Sequence, residues 1–175
     1  MADSNAFETF APSDGERYRS LARLWAASVT VVTVRSDDAE RPDDGFTATA
    51  FLTVSIDPPI VLVSATKSSS AAAMLRGAGA FAVSLLSRDQ RALADAFAQP
   101  HEHRNPLWSD LPIVRDHAGV ALLSGSLGAF SATVRELVDA GDHTLVLGDV
   151  TALHLGPPGD ALVYRDRAYG SVEPL

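Results

Sequence analysis

Residues 44–70 read DGFTATAFLTVSIDPPIVLVSATKSSS, and two changes of pattern within them decide the fold. After the turn signal Asp43-Asp44-Gly45 the residues alternate. Phe46, Ala48, Ala50, Leu52, Val54 and Ile56 share one side of an extended chain; Thr47, Thr49, Phe51, Thr53 and Ser55 share the other. A period of two predicts one half-buried strand. Asp57-Pro58-Pro59 ends it, because proline has no N–H to give a sheet ladder. Ile60-Val61-Leu62-Val63 is then an unbroken apolar run, the pattern of a strand covered on both faces. Ser64 to Ser70 forms a polar loop that opens a helix at about Ala71. Hydroxyls, backbone N–H groups at a helix start and the lone lysine Lys67 suit an anionic group such as phosphate. An ordinary N-cap before a surface helix accounts for the same residues.

Outward from this stretch, the chain alternates short strands with a few short helices. Residues 1–16 read as a flexible arm and residues 17–175 as one domain. Tyr18, Leu21, Leu24 and Trp25 recur at helical spacing, and the β-branched run Ser28 to Val34 predicts the first strand. Residues 36–45 hold four Asp, one Glu and a Pro, which predicts a solvated hairpin loop. Downstream come a helix from Ala71 to Arg76, a strand from Phe81 to Leu86 and a helix from Asp89 to Phe97. A polar surface loop from Gln99 to Pro112 follows. Extended pieces between Val120 and Val138, a long strand from Thr144 to Leu155 and a hairpin from Ala161 to Tyr169 complete the chain. Many strands with few helices predict a mainly β, closed or nearly closed antiparallel barrel rather than a βαβ fold.

Composition removes several kinds of function. A chain of 175 residues with 46% apolar and 21% charged side chains buries a full core as one globular domain. Its formal net charge of −8 opposes a nucleic-acid or anionic-membrane partner. With no cysteine, there is no thiolate zinc site, Cys-ligated cluster or thiol nucleophile. Electrons, if they pass, must pass through an organic cofactor. No apolar run approaches the roughly 18 residues of a membrane span, and the acidic start is unlike a targeting peptide. Both point to a cytoplasmic protein. Neither G-x-G-x-x-G nor G-x-x-x-x-G-K-[ST] occurs, so a nicotinamide nucleotide has no domain of its own here.

The pattern DG-x-TA-x-x-F-x-x-VS-x-DPP-x-VLV with the following K-SSS loop resembles the flavin reductase family. Further blocks match in the same order: Gly79 to Leu86, then Gln90, Leu93-Ala94 and Phe97-Ala98, then Gly141-Asp142-His143-Thr144, Gly148-Asp149-Val150, and Tyr164 to Gly170. The likeness covers about residues 20 to 170. It implies a flavin-binding split β-barrel (Greek-key, antiparallel) that reduces FMN or FAD with NADH or NADPH. Such a protein supplies reduced flavin to a partner monooxygenase and is a homodimer, since a small barrel exposes apolar surface it cannot cover alone. Ser28, Ser84 and the cysteine-free segment near Ala132 depart from the family pattern.

The resemblance lays the flavin ring against Thr47, Ala48, Thr49 and Ala50, where small side chains let a flat ring approach the backbone. A half-buried strand with outward threonines is the plainer account. The resemblance puts Ser64 and Ala65 beside the ring and gives Lys67, Ser69 and Ser70 to the flavin phosphate. His143 is implied where the nicotinamide stacks; hydride transfer needs no general acid, so its role would be positioning. A backbone-bonded turn histidine is the alternative. Tyr164, Arg167 and Tyr169, with Arg165, combine cations and aromatic faces suited to a pyrophosphate and a ring. No metal site is expected: His101 and His103 have no third ligand in view. A hydrolytic set drawn from Ser69, His143 and Asp142 lacks a nucleophile elbow. A flavin carrier or sensor without turnover, and a split barrel for haem or pyridoxal phosphate, are the competing readings.

Overall fold

The structure is a computed structural model, and it describes residues 7–35, 43–104 and 108–172. Residues 7–14 carry no helix or strand, and the first helix, α1 (Gly15–Ala22), is capped by the Asp14 carboxylate, which accepts from Arg17 N at 3.0 Å. The strands that build the main sheet are β2 (Thr30–Arg35), β3 (Asp43–Ala48), β4 (Phe51–Ile56), β5 (Pro59–Thr66), β6 (Ala80–Leu85), β9 (Gly128–Ala140) and β10 (His143–Leu155). Their order is β3-β2-β6-β9-β10-β5-β4, every pair antiparallel. Beside it stand a sheet of β1 (Ala27–Ser28), β11 (Leu162–Arg165) and β12 (Ala168–Ser171), and the pair β7 (Ile113–Arg115) and β8 (Ala121–Leu123). The helices are α2 (Ser70–Gly77), α3 (Arg91–Phe97) and α4 (His101–Arg104). Among the described residues no helix is long and apolar enough to cross a membrane.

The two end strands of the main sheet follow one another in the chain, separated only by Thr49 and Ala50. Six antiparallel steps lie between them, so β3 and β4 run in the same direction. One extended segment therefore pairs with β2 at its start, bends, and pairs with β5 at its end. That bend rolls the sheet into a barrel left split along the segment itself. The single strand expected over residues 46–56 is thus two, and the bend reverses which side faces inward. Phe46 and Ala48 are buried; beyond the bend Phe51 turns in, its ring 5.5 Å from that of Phe130. Leu52, Val54 and Ile56 lie outside, 58%, 47% and 94% exposed.

Inside the barrel Val32, Val61, Val63, Phe81, Val83 and Val146 are fully buried, and α2 plugs one end with Ala71, Ala72 and Leu75. A second core, with Val29, Val31, Leu86, Phe97 and Leu162, joins α3 to the small sheet. The run expected as the first strand divides at Val29, which puts Ala27–Ser28 against β11 and Thr30–Arg35 in the barrel. The strand expected to be covered on both faces at Ile60 to Val63 is covered on one: Val61 and Val63 are buried inside the barrel, while Ile60 and Leu62 on the outer face are only half covered.

Two expectations about polar segments are overturned. Residues 36–42 of the expected hairpin loop lie outside the described residues, but Asp43, Asp44 and Gly45 form buried strand rather than a turn. Arg115 clamps Asp43 with bonds of 2.8 and 2.7 Å, and that pairing raises the guanidinium's pKa above its ordinary value. Asp44 Oδ1 accepts from Gly45 N at 2.6 Å and faces Arg104 Nε at 3.6 Å. Gly45 is required by packing: a Cβ there would lie 2.8 Å from Val32 O and 3.3 Å from the Phe97 ring. The second segment, the surface loop expected at 99–112, instead contains α4, whose Arg104 is buried. Both aspartates escape the cost of a lone buried charge because each has a guanidinium beside it.

At Gly148 the barrel wall is as close as it can be, since a Cβ would lie 2.5 and 2.7 Å from the Phe81 ring and 3.0 Å from Ala132 Cβ. Gly148→Ala is therefore expected to lose about 1–3 kcal/mol, or roughly 2–4 °C of melting temperature per kcal/mol. Gly77→Ala, with nothing within 4 Å, is the near-neutral control. Equal melting of the two variants would show that the wall yields at Gly148.

Candidate functional site

The split in the barrel is a cleft. Where β3 leaves the sheet edge, the last residues of β5 pair with β10 on one side but, among the described residues, with no strand on the side facing β3, and Ser64 N donates to Ala50 O at 3.0 Å across the bend. The space between, about 280 Å³, is lined by Thr47, Ala48, Thr49, Ala50, Ser64, Ala65, Thr66, Ser69 and His143, with Phe46 and Ala71 at its base. The strand that floors it is held from behind. Thr47 Oγ1 donates to Ala94 O of α3 at 2.6 Å, and Thr30 Oγ1 to Ala48 O at 2.8 Å. With its hydroxyl turned to α3, Thr47 offers the cleft its backbone.

His143 reaches the rim by register. Gly141, at φ +60°, permits the two-residue turn Gly141-Asp142 between β9 and β10. His143 thereby becomes the first residue of β10 and pairs across from Thr66 at the end of β5. Its Nδ1 lies 2.8 Å from Asp142 Oδ1 and its Nε2 3.3 Å from Thr66 Oγ1. The hydrogen bond to His143 holds the Asp142 carboxyl below the usual aspartate range. No Ser-His-Asp relay is formed. Ser69 Oγ donates to Thr66 O at 2.6 Å and accepts from Ala72 N at 3.2 Å, so it is the N-cap of α2.

Lys67 and Ser70 stand next to this cleft without lining it. The Lys67 ammonium lies 3.3 Å from Asp139, while its backbone N donates to Asp142 O at 2.9 Å. Ser70 Oγ, at the first turn of α2, accepts from Arg104 at 3.1 Å. Arg104 also donates to Phe97 O at 3.3 Å, so one buried guanidinium joins β3, α3 and the start of α2. Burial lowers its pKa from the ordinary value while Asp44 and Glu102 oppose that shift. Its polar neighbours in sequence gave no sign of this. Thr66 was equally hidden, although the pairing of β5 with β10 makes it the natural partner of His143.

Thr49 and Ala50 also border a second cleft of about 560 Å³, on the other side of the bend. Tyr164 and Arg167 line it, with Arg165, with Arg19 of α1 and with Arg23 at the cap that ends that helix. Tyr169 does not. It meets Tyr164 edge-on at 5.2 Å, lies 5.4 Å from the Arg91 guanidinium and packs on the second core. Burial, then a hydrogen bond with Asp95, pushes its hydroxyl up to about 12. The spacing of Arg19 and Arg23, one helical turn apart, was a signal available in the sequence. Among the described residues no group of three or more His, Asp or Glu side chains could hold a metal ion.

The family described as "Flavin reductase like domain" matches residues 22–173. The reductase component of 4-hydroxyphenylacetate 3-monooxygenase from Thermus thermophilus is 34% identical over 158 residues, covering 88% of this chain and 94% of that protein. An NADH:FMN oxidoreductase from Rhodococcus qingshengii is 34% identical over 165 residues, 90% of this chain and 82% of its own length. Among solved structures, BorF, the flavin reductase component of a bacterial two-component tryptophan halogenase, superposes with a TM-score of 0.83 at 31% identity. It covers 93% of this chain and all (100%) of its own. The split barrel, its bent edge segment and these matches lead to one conclusion: the chain belongs to the flavin reductase family.

Proposed function

We propose that the protein is an NAD(P)H:flavin oxidoreductase that reduces FMN or FAD with NADH or NADPH. Reduced flavin then passes by diffusion to a separate flavin-dependent monooxygenase. The observation that carries this reading is the cleft at the split, where a small-residue strand, the start of α2 and His143 converge. Its walls fit a flavin. Ala48, Ala50 and Ala65 offer a flat ring close approach to backbone N–H and C=O groups, and the capped start of α2 offers N–H groups for a phosphate. About 280 Å³ is at the small end of ligand sites, roughly 300–1,000 Å³, and the adjoining cleft extends it across Thr49 and Ala50.

A flavin bound here supplies the two-electron acceptor that no side chain of a cysteine-free chain provides. The protein's own groups bind and orient. The bend positions the ring, and Arg104 fixes Ser70 at the helix start from behind. Lys67, 3.3 Å from Asp139, adds its charge at the edge of the phosphate region. Asp142 and Thr66 hold the His143 imidazole from both nitrogens, so it presents a fixed face at the rim against which a nicotinamide is placed. A carrier or sensor would need no room for a second nucleotide, and the second cleft favours turnover. Leu52, Val54 and Ile56 on β4 and Leu153 and Leu155 on β10, the last two 71% and 99% exposed, form an apolar surface that a second copy of the chain covers. Residues 17–175 then make up the reductase domain with residues 1–16 as its arm. Cytoplasmic residence accords with free NADH or NADPH as co-substrate.

Purified protein is expected to consume NADH or NADPH only when FMN or FAD is present, read as loss of nicotinamide absorbance. Folded protein that shows no flavin-dependent loss with either nucleotide would end the reductase reading. His143→Ala should leave flavin affinity nearly unchanged and lower kcat/KM for NADH roughly ten- to a hundredfold, about 1.4–3 kcal/mol. Unchanged reduction kinetics in a stable variant would remove His143 from the site. The same variant has a pH signature. Because the Asp142 pKa is depressed in the folded chain, the pairing stands above the usual aspartate range and is lost only as pH falls through the lowered value. Without His143 the carboxyl should titrate closer to the ordinary value, measured by carboxyl-carbon NMR. Light scattering should give two chain masses in solution, and Ile56→Asp should shift that toward one.

A further inference from the structure

The second cleft contains more positive charge than an acidic chain has reason to gather. Arg19 reaches it from α1, Arg23 from the cap that ends that helix, and Arg165 and Arg167 from the β11–β12 hairpin, with Asp166 the one acid and Trp25 beside them. Four of the chain's fourteen basic side chains thus line one cleft of a protein with net charge −8. None of the four guanidiniums has an ion-pair, hydrogen-bond or ring partner among the described residues. Arg88, Arg91, Arg104, Arg115 and Arg135 all have a carboxylate within 4.0 Å. Facing cations without counter-charges are adverse unless an anion lies between them.

The hairpin is shaped toward the same place at further cost. Its two turn residues, Asp166 at φ 47° and Arg167 at φ 65°, are both left-handed without being glycine. Asp166 N donates to Arg23 O at 3.0 Å, which locks the turn onto the end of α1 and brings both arginine pairs to one cleft. Trp25 is 78% exposed, a large flat ring left in water next to them. Planar guanidiniums recognise phosphate oxygens in pairs, and an exposed indole stacks on a purine.

We propose that this cleft binds the ADP moiety of a dinucleotide, its pyrophosphate among the four arginines and its adenine against Trp25. Resting on the reductase reading, the rest of the dinucleotide continues across Thr49 and Ala50, so that its redox ring enters the smaller cleft. Because the flavin phosphate is assigned to the start of α2, and in FAD that phosphate is half of the pyrophosphate, the dinucleotide whose pyrophosphate reaches this cleft is NAD(P)H.

The probe is ADP alone, titrated into the full chain and followed by tryptophan fluorescence. Saturable quenching is expected, weakened by salt and absent in Trp25→Leu, in which Trp108 remains. Arg19→Gln/Arg23→Gln, at exposed and half-exposed positions, should weaken ADP roughly ten- to a hundredfold. No saturable binding to the wild type, or equal binding by the arginine variant with an unchanged melt, would overturn the site. Two further arms assign its occupant. In the arginine variant, a raised KM for NADH but not for reduced nicotinamide mononucleotide assigns the co-substrate; a loss for FAD but not FMN would overturn that assignment. Equal behaviour of all four in both proteins also overturns the proposal. ADP binding by a chain without flavin-dependent NADH oxidation would retain this site and discard the reductase reading, so the two fail separately.

Discussion

One constraint organises the molecule: a single extended segment must serve as both edges of one sheet. β3 and β4 are the same run of chain, and because a strand cannot pair with β2 and β5 along its whole length, it pairs with each in turn and bends between. An exposed sheet edge is a liability that folds normally cover. Here β3 pairs with the whole of β2 and β4 with Pro59 to Val63 of β5, so the gap opens along Ser64 to Thr66, roofed at one end by α2. The cleft is therefore the unpaired remainder of the barrel, and its walls are backbone because the barrel is not closed there.

The gap stays open because its walls are tied to other parts of the protein. Asp43 and Asp44 lie at the start of the bent segment and are clamped by Arg115 and Arg104 from the stretch between α3 and β8. Thr47 and Ala48 are held from behind by α3 and β2. Buried ion pairs are poor sources of net stability, because desolvation opposes the attraction. What they provide here is location. Arg104 relates the floor of the cleft to the helix start at its far end, two elements that make no ladder with each other. The charged groups fix a shape that hydrophobic burial alone would leave free to collapse.

Alternation, proline punctuation and β-branched runs made the strand content and the antiparallel barrel legible in the sequence. The residues of the smaller cleft were reached through the family resemblance, since Ser64, Ala65, Ser69 and His143 lie outside the alternating stretch and share no local pattern with it. Four features were not legible, each for a physical reason. The bend at Thr49-Ala50 preserves the alternation of apolar residues while exchanging which set faces inward, so Leu52 to Ile56 looked like core. Asp43-Asp44-Gly45 resembles a turn until its two carboxylates meet arginines more than fifty residues away, a contact that no window of sequence contains. Tyr169 carried the right chemistry for a ligand but is taken up by Tyr164, Arg91 and Asp95. Arg19 and Arg23 lay outside the recognised motifs, and only the position of the β11–β12 hairpin brings them to the bend.

The path by which the split arises has its own consequence. Three of the pairings, β2–β3, β4–β5 and β9–β10, are local hairpins, the last made of two 13-residue strands on a two-residue turn. The pairing of β5 with β10 instead joins residues 59–66 to a strand that begins at 143. Loop closure of that span must be met before its contacts repay it, which makes it a slow kind of step. His143 and Thr66 face each other only after that step, so the site does not exist in any partly zipped chain. A ligand held across the gap thus selects the completed fold. At a hundredfold excess over its Kd it adds about 2.7 kcal/mol to the apparent stability, which makes the occupant of the cleft part of what keeps the barrel assembled.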